Sequence, residues 1–397
     1  MIQAPVPTVL QPRDTAALLT ERGGQDASDV WIYRYLDPRT GWRLSIATCA
    51  APESGRLSLG GFRIATPERT ESPGFDSDRE AAGLAVGMEE KVAWSRLLGI
   101  GGPLVRRATN RIVGGKCVLH PTPDARVGQP HDFALLDFAI ACLHDAEARG
   151  GFQITTGQDL GHGIMSDGAT KSLDYLHARF LGSVVSDTSQ PTGEGNFHVL
   201  VAMLRGFDID IASASVGLIG CGNVGTRVLT RLRETQTRVL ALDASESRRA
   251  ELAAMGLRVY APAAKSELLQ SDIDALVVNA AGASLDMASI GTIAANARLI
   301  VVCGSENLAM PDARAGSGAL RNARKAYAPT QLGGMMGYLT AAEEYLARIE
   351  GTLFDLESLC ESAAQLEGPV FAATQHLRAH GFTTTFADSL IAVCAGD

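Results

Sequence analysis

Ser215-Val-Gly-Leu-Ile-Gly-Cys-Gly-Asn-Val-Gly225 is the stretch on which the fold turns. An apolar run ends in Gly220, Gly222 and Gly225, spaced G-x-G-x-x-G. A helical segment follows, Thr226 to Glu234, and a second apolar run, Arg238 to Leu242, ends on Asp243. Strand, glycine turn, helix, strand and acid form the order of a dinucleotide-binding unit. Gly220 permits the tight turn, Gly222 lets the backbone approach a pyrophosphate, and Gly225 lets helix and strand pack closely. Asn223 and Val224 complete the turn at the helix N-terminus, where unpaired N–H groups and the positive dipole end suit phosphates. Asp243 accepts hydrogen bonds from an adenosine ribose and repels a 2′-phosphate, which favours NAD over NADP.

The rest of the chain has room for more than this unit. Its 397 residues predict two domains of about 100–200 residues each. Hydrophobic residues make up 46% and charged residues 20%, as in a globular protein, and the net charge is −9 without a Lys/Arg cluster. That argues against nucleic acid or an anionic membrane as the main partner. The seven cysteines are scattered and form no C-x-x-C pair, so they read as reduced thiols in the cytoplasm. The opening Met1-Ile-Gln-Ala-Pro-Val-Pro7 lacks a charged region followed by an apolar core, and no apolar run is long enough to span a bilayer. The histidines and acids show no metal-ligand spacing, and no metal is expected.

Upstream, strand-like runs at Trp31–Leu36 and Trp42–Thr48 flank the turn Asp37-Pro-Arg-Thr-Gly41. A third run, Leu57–Ile64, contains Gly60-Gly61-Phe62-Arg63. Ser77–Leu98 reads as a helix, Gly99–Pro103 as a break, and Arg111–His120 as a strand entered through Gly114-Gly115-Lys116. Asp132–Arg149 has helical spacing, and Phe152–Thr156 is a short strand delivering Gly157-Gln158-Asp159. Residues 187–197 are turn-rich and read as an inter-domain connection, with a helix from His198 to Arg205. Further strands are expected at Ala275–Asn279, Leu299–Cys303 and Lys325–Tyr327, and helices over Ala341–Asp397. The division is 1–187 for substrate binding, catalysis and oligomerisation, 188–345 for the dinucleotide, and 346–397 as helices returning to the first domain.

Three residues of the first half suit chemistry. Lys116 stands on a glycine turn entering a buried strand, where desolvation lowers an ammonium pKa as a lysine base requires; Lys91 ends Gly87-Met-Glu-Glu-Lys91 on a helix. Most lysines are solvated, so a surface role is the alternative for both. Asp159 ends a strand, where a carboxylate can move protons or simply cap a turn. His162 could join the site or be structural. Cys117 reads as a small buried residue, and Arg248 and Arg249 as solvent-facing on the next helix, the alternative being that they soften the NAD preference set by Asp243.

These motifs, in this order before a Rossmann unit, resemble the Glu/Leu/Phe/Val amino-acid dehydrogenases, closest to the leucine and phenylalanine dehydrogenase branch. Asn279-Ala-Ala-Gly282, Gly304-Ser-Glu-Asn307 and Tyr327-Ala-Pro329 extend the resemblance, which runs from about residue 31 to about residue 345. It implies an α/β fold with two domains, an N-terminal substrate domain and a C-terminal Rossmann domain with the cleft between them. It also implies a homo-oligomer that deaminates an L-amino acid oxidatively and reversibly, giving a 2-oxo acid and ammonia. By resemblance, Gly60 and Gly61 line the substrate carboxylate end and Lys91 pairs with that carboxylate. Lys116 polarises the carbonyl and activates water, and Asp159 shuttles protons to and from the amino group. Ala280, Ala281 and Asn307 belong to the cofactor site.

Three features depart from the pattern. Lys91 and Lys116 are separated by an extra segment around Ser95–Asn110. Gly334 occupies the place of an asparagine that holds the substrate amine in the family, with Gln331 or Asn307 as substitutes. The segment Gln190–Asn196 replaces a Pro-x-Thr-x-x-Gly pattern. A diverged oxidoreductase or imine reductase on the same scaffold, and a non-catalytic NAD-binding regulator, are the alternatives. By the same resemblance Gly157 favours a bulky apolar or aromatic substrate side chain, since it leaves a methyl-sized space where the leucine-type branch carries alanine; a simple turn glycine is the other reading.

Overall fold

Apolar runs bounded by turn residues pair into two six-stranded sheets. The computed structural model describes residues 3–20 and 29–396, so Met1 and Ile2 of the opening stretch, and Asp397, lie outside the description. The strands are β1 (Thr8–Leu10), β2 (Trp31–Leu36), β3 (Arg43–Thr48), β4 (Leu57–Ile64), β5 (Ile112–His120) and β6 (Gln153–Gln158), followed by β7 (Ser215–Ile219), β8 (Arg238–Leu242), β9 (Arg258–Tyr260), β10 (Ala275–Val278), β11 (Val301–Gly304) and β12 (Ala326–Tyr327).

Contacts divide the chain into two compact units. One comprises Met1–Val92, Pro103–Thr188 and Tyr338–Phe354; the other comprises Ala93–Gly102, Ser189–Gly337 and Asp355–Asp397. The helical tail, expected to return to the first domain from residue 346, is thus shared out, with everything beyond Phe354 grouped in the second unit.

The first unit's sheet runs β1-β2-β3-β5-β4-β6. Its first three pairings are antiparallel, and β5, β4 and β6 are mutually parallel. All eight residues of β4 are buried, as parallel strands covered on both faces require. One cover is the helix Asp132–Gly150, which buries Leu135, Leu136, Phe138, Ala139, Ile140, Cys142 and Leu143 and stops at Gly151 in the left-handed region. The extra segment between the lysines ends in a helix, Pro103–Ala108. Its Leu104 and Val105 amides donate to the two carboxylate oxygens of buried Glu343, at 3.0 and 2.8 Å.

The second unit's sheet is parallel throughout, in the order β12-β11-β10-β7-β8-β9. This is the doubly wound order of dinucleotide-binding folds. Gln190–Asn196, expected as a connection, lies inside the helix Ser189–Gly206. Tertiary packing overrides the local signal. A Cβ on Gly193 would stand 2.5 Å from Arg227 Cβ, and one on Gly195 2.7 Å from Met336 Cγ, so these glycines permit close helix crossings. Glu194 between them forms ion pairs with Arg227 and Arg231.

Candidate active site

In the first unit, strand register assembles the predicted residues. Gly60 and Gly61 of β4 face Thr156 and Gly157 of β6, and Lys116 lies mid-strand in β5. A Cβ on Gly60 would stand 1.9 Å from the Gly115 carbonyl oxygen, so glycine allows the strands to close. A Cβ on Gly61 would stand 2.7 Å from Lys116 Nζ and 3.3 Å from Asp159 Oδ2, so glycine there leaves the lysine head group its place.

Lys116 Nζ donates to Asp159 Oδ2. The other carboxylate oxygen accepts from the Leu160 amide at 2.7 Å and from Arg63 Nη2 at 3.1 Å. Arg63 in turn pairs with Glu80 at 2.5 Å, and Glu80 with Arg69 at 3.0 Å. Burial alone would raise the Asp159 pKa, but Lys116 and Arg63 outweigh it and hold the carboxyl well below the usual range. Burial lowers the Lys116 ammonium; Asp159 opposes this and Arg63 adds to it. Lys91 is also buried and is lowered to about 8, first by burial and then by Lys116, with Asp159 and Glu90 opposing. The structure therefore gathers Gly60, Gly61, Lys91, Lys116, Gly157 and Asp159 into one buried cluster that can hold an anion, take a proton and return one.

His162 has both ring nitrogens engaged, Nε2 with the Phe62 carbonyl at 2.8 Å and Nδ1 with Ser172 Oγ at 3.0 Å. Burial lowers its pKa, which suits a structural role. Burial pushes the Cys117 thiol up to about 12, which suits packing and not attack. Gly157 is no turn residue: it lies within β6, and a Cβ there would meet Ala341 Cβ at 3.6 Å and Val184 Cγ2 at 3.7 Å, ordinary contact distances.

In the second unit, Gly220, Gly222, Asn223, Val224, Gly225, Asp243, Ala280, Ala281 and Asn307 collect at or just beyond the carboxyl ends of β7, β8, β10 and β11. Gly220 has φ +83°, and a Cβ on Gly225 would stand 2.0 Å from the Gly220 carbonyl oxygen. Gly222 is exposed, has open space where a Cβ would point, and precedes the helix Asn223–Glu234 without a side-chain cap. Open backbone at a helix N-terminus fits a dinucleotide pyrophosphate. Asp243 accepts from the Cys221 amide at 2.7 Å and the Ser245 amide at 2.8 Å, fixing the turn and leaving lone pairs for ribose hydroxyls. Arg248 does not simply face solvent. It folds back onto the glycine turn, reaching the Cys221 carbonyl at 2.9 Å and Thr226 Oγ1 at 2.7 Å, while Arg249 holds the Asp243 and Ala244 carbonyls. Gly334 is buried in this unit and ends the short helix Thr330–Gly333.

Solved structures of the same architecture include amino-acid dehydrogenases. L-tryptophan dehydrogenase from Nostoc punctiforme matches with a TM-score of 0.61 at 18% identity, covering 96% of this chain and 97% of that one. The hetero-hexameric glutamate dehydrogenase from Thermus thermophilus matches with a TM-score of 0.62 at 16% identity, over 89% and 83%. Plasmodium falciparum glutamate dehydrogenase matches with a TM-score of 0.61 at 14% identity, over 92% and 82%. The chain has the fold of the Glu/Leu/Phe/Val amino-acid dehydrogenases. No protein-family model matches it. No curated protein matches it in sequence.

Within this dehydrogenase fold, sequence reasoning missed the residues that support the predicted ones. Arg63 donates to the Asp159 carboxylate, and Glu80 in turn accepts from Arg63. The signal was present: an arginine in an otherwise apolar run must find buried partners. Ser305 and Glu306, which the sequence shows only as members of the Gly304-Ser-Glu-Asn307 motif, tie down the loop after β10. Among the described residues no group of His, Cys, Asp and Glu is placed to hold a metal ion, and no helix is long and apolar enough to cross a membrane.

Proposed function

We propose that this chain is an NAD-dependent amino-acid dehydrogenase that interconverts an L-amino acid and water with a 2-oxo acid and ammonium. The observation that carries this is the buried Lys116–Asp159 pair beside Lys91, in a chain that also holds a dinucleotide cradle. Gly222, Asn223, Val224 and Asp243 would hold the cofactor, which when bound supplies the acceptor for the hydrogen and electron pair leaving the substrate α-carbon. Lys91 binds the substrate carboxylate. Loss of the α-hydrogen with its electron pair, and of an amine proton, leaves an imine. Lys116, neutral, takes a proton from water as the oxygen bonds to the α-carbon. Asp159 relays to the nitrogen both the water proton and the amine proton lost earlier, the carbon–nitrogen bond breaks, and the hydroxyl proton leaves with the nitrogen as ammonium while the oxygen closes to a carbonyl. The lowered pKa of Lys116 and the Lys116–Asp159 hydrogen bond support this division of labour.

The test is NADH absorbance with purified protein, ammonia and a panel of 2-oxo acids including phenylpyruvate, indolepyruvate and ketoisocaproate. Ammonia-dependent oxidation is expected. Oxidation that needs another amine in place of ammonia would favour the imine-reductase reading, which Gly334 motivates because it offers no side chain where the family places an asparagine. NADH binding with no turnover of any kind would favour the regulator. Running the panel with NADPH tests the cofactor choice, since Asp243 disfavours a 2′-phosphate while Arg248 and Arg249 lie beside it.

Gly157 predicts the side-chain class. The space beside it accepts a methyl at ordinary contact distance, so Gly157→Ala should fold normally. In steady-state kinetics it should shift kcat/KM from the bulkiest toward smaller 2-oxo acids, by about tenfold or more. An unchanged ranking would remove Gly157 from the pocket.

A further inference from the structure

Arg63 is a cation inside a strand, β4, whose residues are all buried. It follows Gly61 by two positions, so its side chain leaves the strand on the face where Gly61 makes room for the Lys116 head group. There the guanidinium meets two carboxylates. Nη1 donates to Glu80 Oε1 at 2.5 Å, and Nη2 donates to Asp159 Oδ1 at 3.1 Å. Glu80 lies in the helix Ser77–Leu98, which also carries Lys91, and its Oε2 pairs with Arg69 at 3.0 Å. Arg63 therefore ties Asp159, the first residue past β6, to the helix that holds Lys91.

This arrangement makes the two oxygens of Asp159 unequal. A carboxylate oxygen has two lone pairs to offer. On Oδ1 both are taken, by the Leu160 amide at 2.7 Å and by Arg63 Nη2. Oδ2 accepts from Lys116 Nζ, which leaves its second lone pair for a substrate. The Asp159 side chain is 11% exposed, against 4% for those of Arg63 and Lys116, so it is the member of the trio most open to an arriving molecule. A turn of the carboxylate that exchanged the oxygens would break the bonds from Leu160 and Arg63 together.

We propose that Arg63 is a positioning residue for proton transfer: by occupying Oδ1 it leaves Oδ2 as the oxygen of Asp159 that passes protons between Lys116 and the substrate nitrogen. The inference rests on the proposed dehydrogenase chemistry of this chain. Arg63 keeps its charge at every working pH, so it also acts through its field. Burial lowers the Lys116 ammonium, Asp159 opposes this, and Arg63 adds to the lowering. Lys91, His162 and Cys117 also interact with the pair, and Glu80 and Arg69 stand behind Arg63.

Arg63→Met tests it. The substitution removes the cation and its donors and keeps an unbranched apolar stem. The pH profile of kcat/KM is measured for oxidative deamination, with the amino acid that corresponds to the best 2-oxo acid, and thermal unfolding is followed alongside. Without the positive neighbour, Lys116 gives up its proton less readily. The acid limb should move to higher pH, by about half a unit or more, and kcat should fall about tenfold or more. A merely structural arginine would lower Tm and leave the limb in place, which overturns the inference. Should Arg63→Met not fold, Glu80→Gln decides. It keeps an acceptor for Arg63 and removes its countercharge, so the limb should move to lower pH; a limb that stays or rises overturns the inference. Native protein that turns over, together with a folded Arg63→Met variant of native kcat and native limb, overturns this inference and spares the dehydrogenase reading. Native protein that turns over no substrate overturns both.

Discussion

Lys116→Ala should lower kcat by about 10²- to 10⁴-fold, the usual worth of a positioned proton-transfer group. NADH affinity should stay near the native value. The glycine turn proposed to hold the cofactor belongs to a different sheet, and its residues share no hydrogen bond with Lys116. Folding should survive, because Asp159 keeps Arg63 at 3.1 Å and the Leu160 amide at 2.7 Å when Lys116 Nζ is gone. Steady-state turnover, NADH titration and a melting curve separate the three quantities. Turnover within a few-fold of native would sink the assignment of Lys116 as the base.

Asp159→Asn should have a comparable effect on kcat, about 10²-fold or more, together with a change that a simple loss of packing cannot produce. The base form of Lys116 is the neutral amine, so kcat/KM rises with pH as the ammonium loses its proton. Burial lowers the Lys116 pKa, and the negative Asp159 partly restores it. Removing that charge lowers the pKa further. The acid limb of the kcat/KM profile should move to lower pH, even as the plateau falls. A limb that stays in place, or moves upward, would show that some other group sets it.

The strand, glycine turn and helix of the second sheet were legible because their determinants are local: three glycines and Asn223 lie within one turn, and Asp243 is one helix further on. The resemblance brings Lys91, Lys116 and Asp159 to one substrate, but their local settings alone do not show that Lys116 and Asp159 meet, because that depends on β5 and β6 flanking β4. Arg63 and Glu80 show the limit most clearly. The two partners of Arg63 lie 17 and 96 residues away along the chain, and only the folded register brings the guanidinium between two carboxylates. Gln190–Asn196 misled for the opposite reason. Its proline and glycines are strong local breakers, yet the glycines serve close packing against Arg227 and Met336 within a continuous helix. The tail could be read as helical from its pattern, but an apolar helix face does not say which core it covers. Phe354 is where the two units divide it.

The space beside Gly157 is bounded by Val184 and Ala341, residues far apart in the chain. Its volume is therefore common property: a methyl added at position 157 and one removed at position 341 act on the same ångströms. On the proposed function, substrate preference is non-additive at these positions, and exchanges at 157 and 341 have to be tested as a pair.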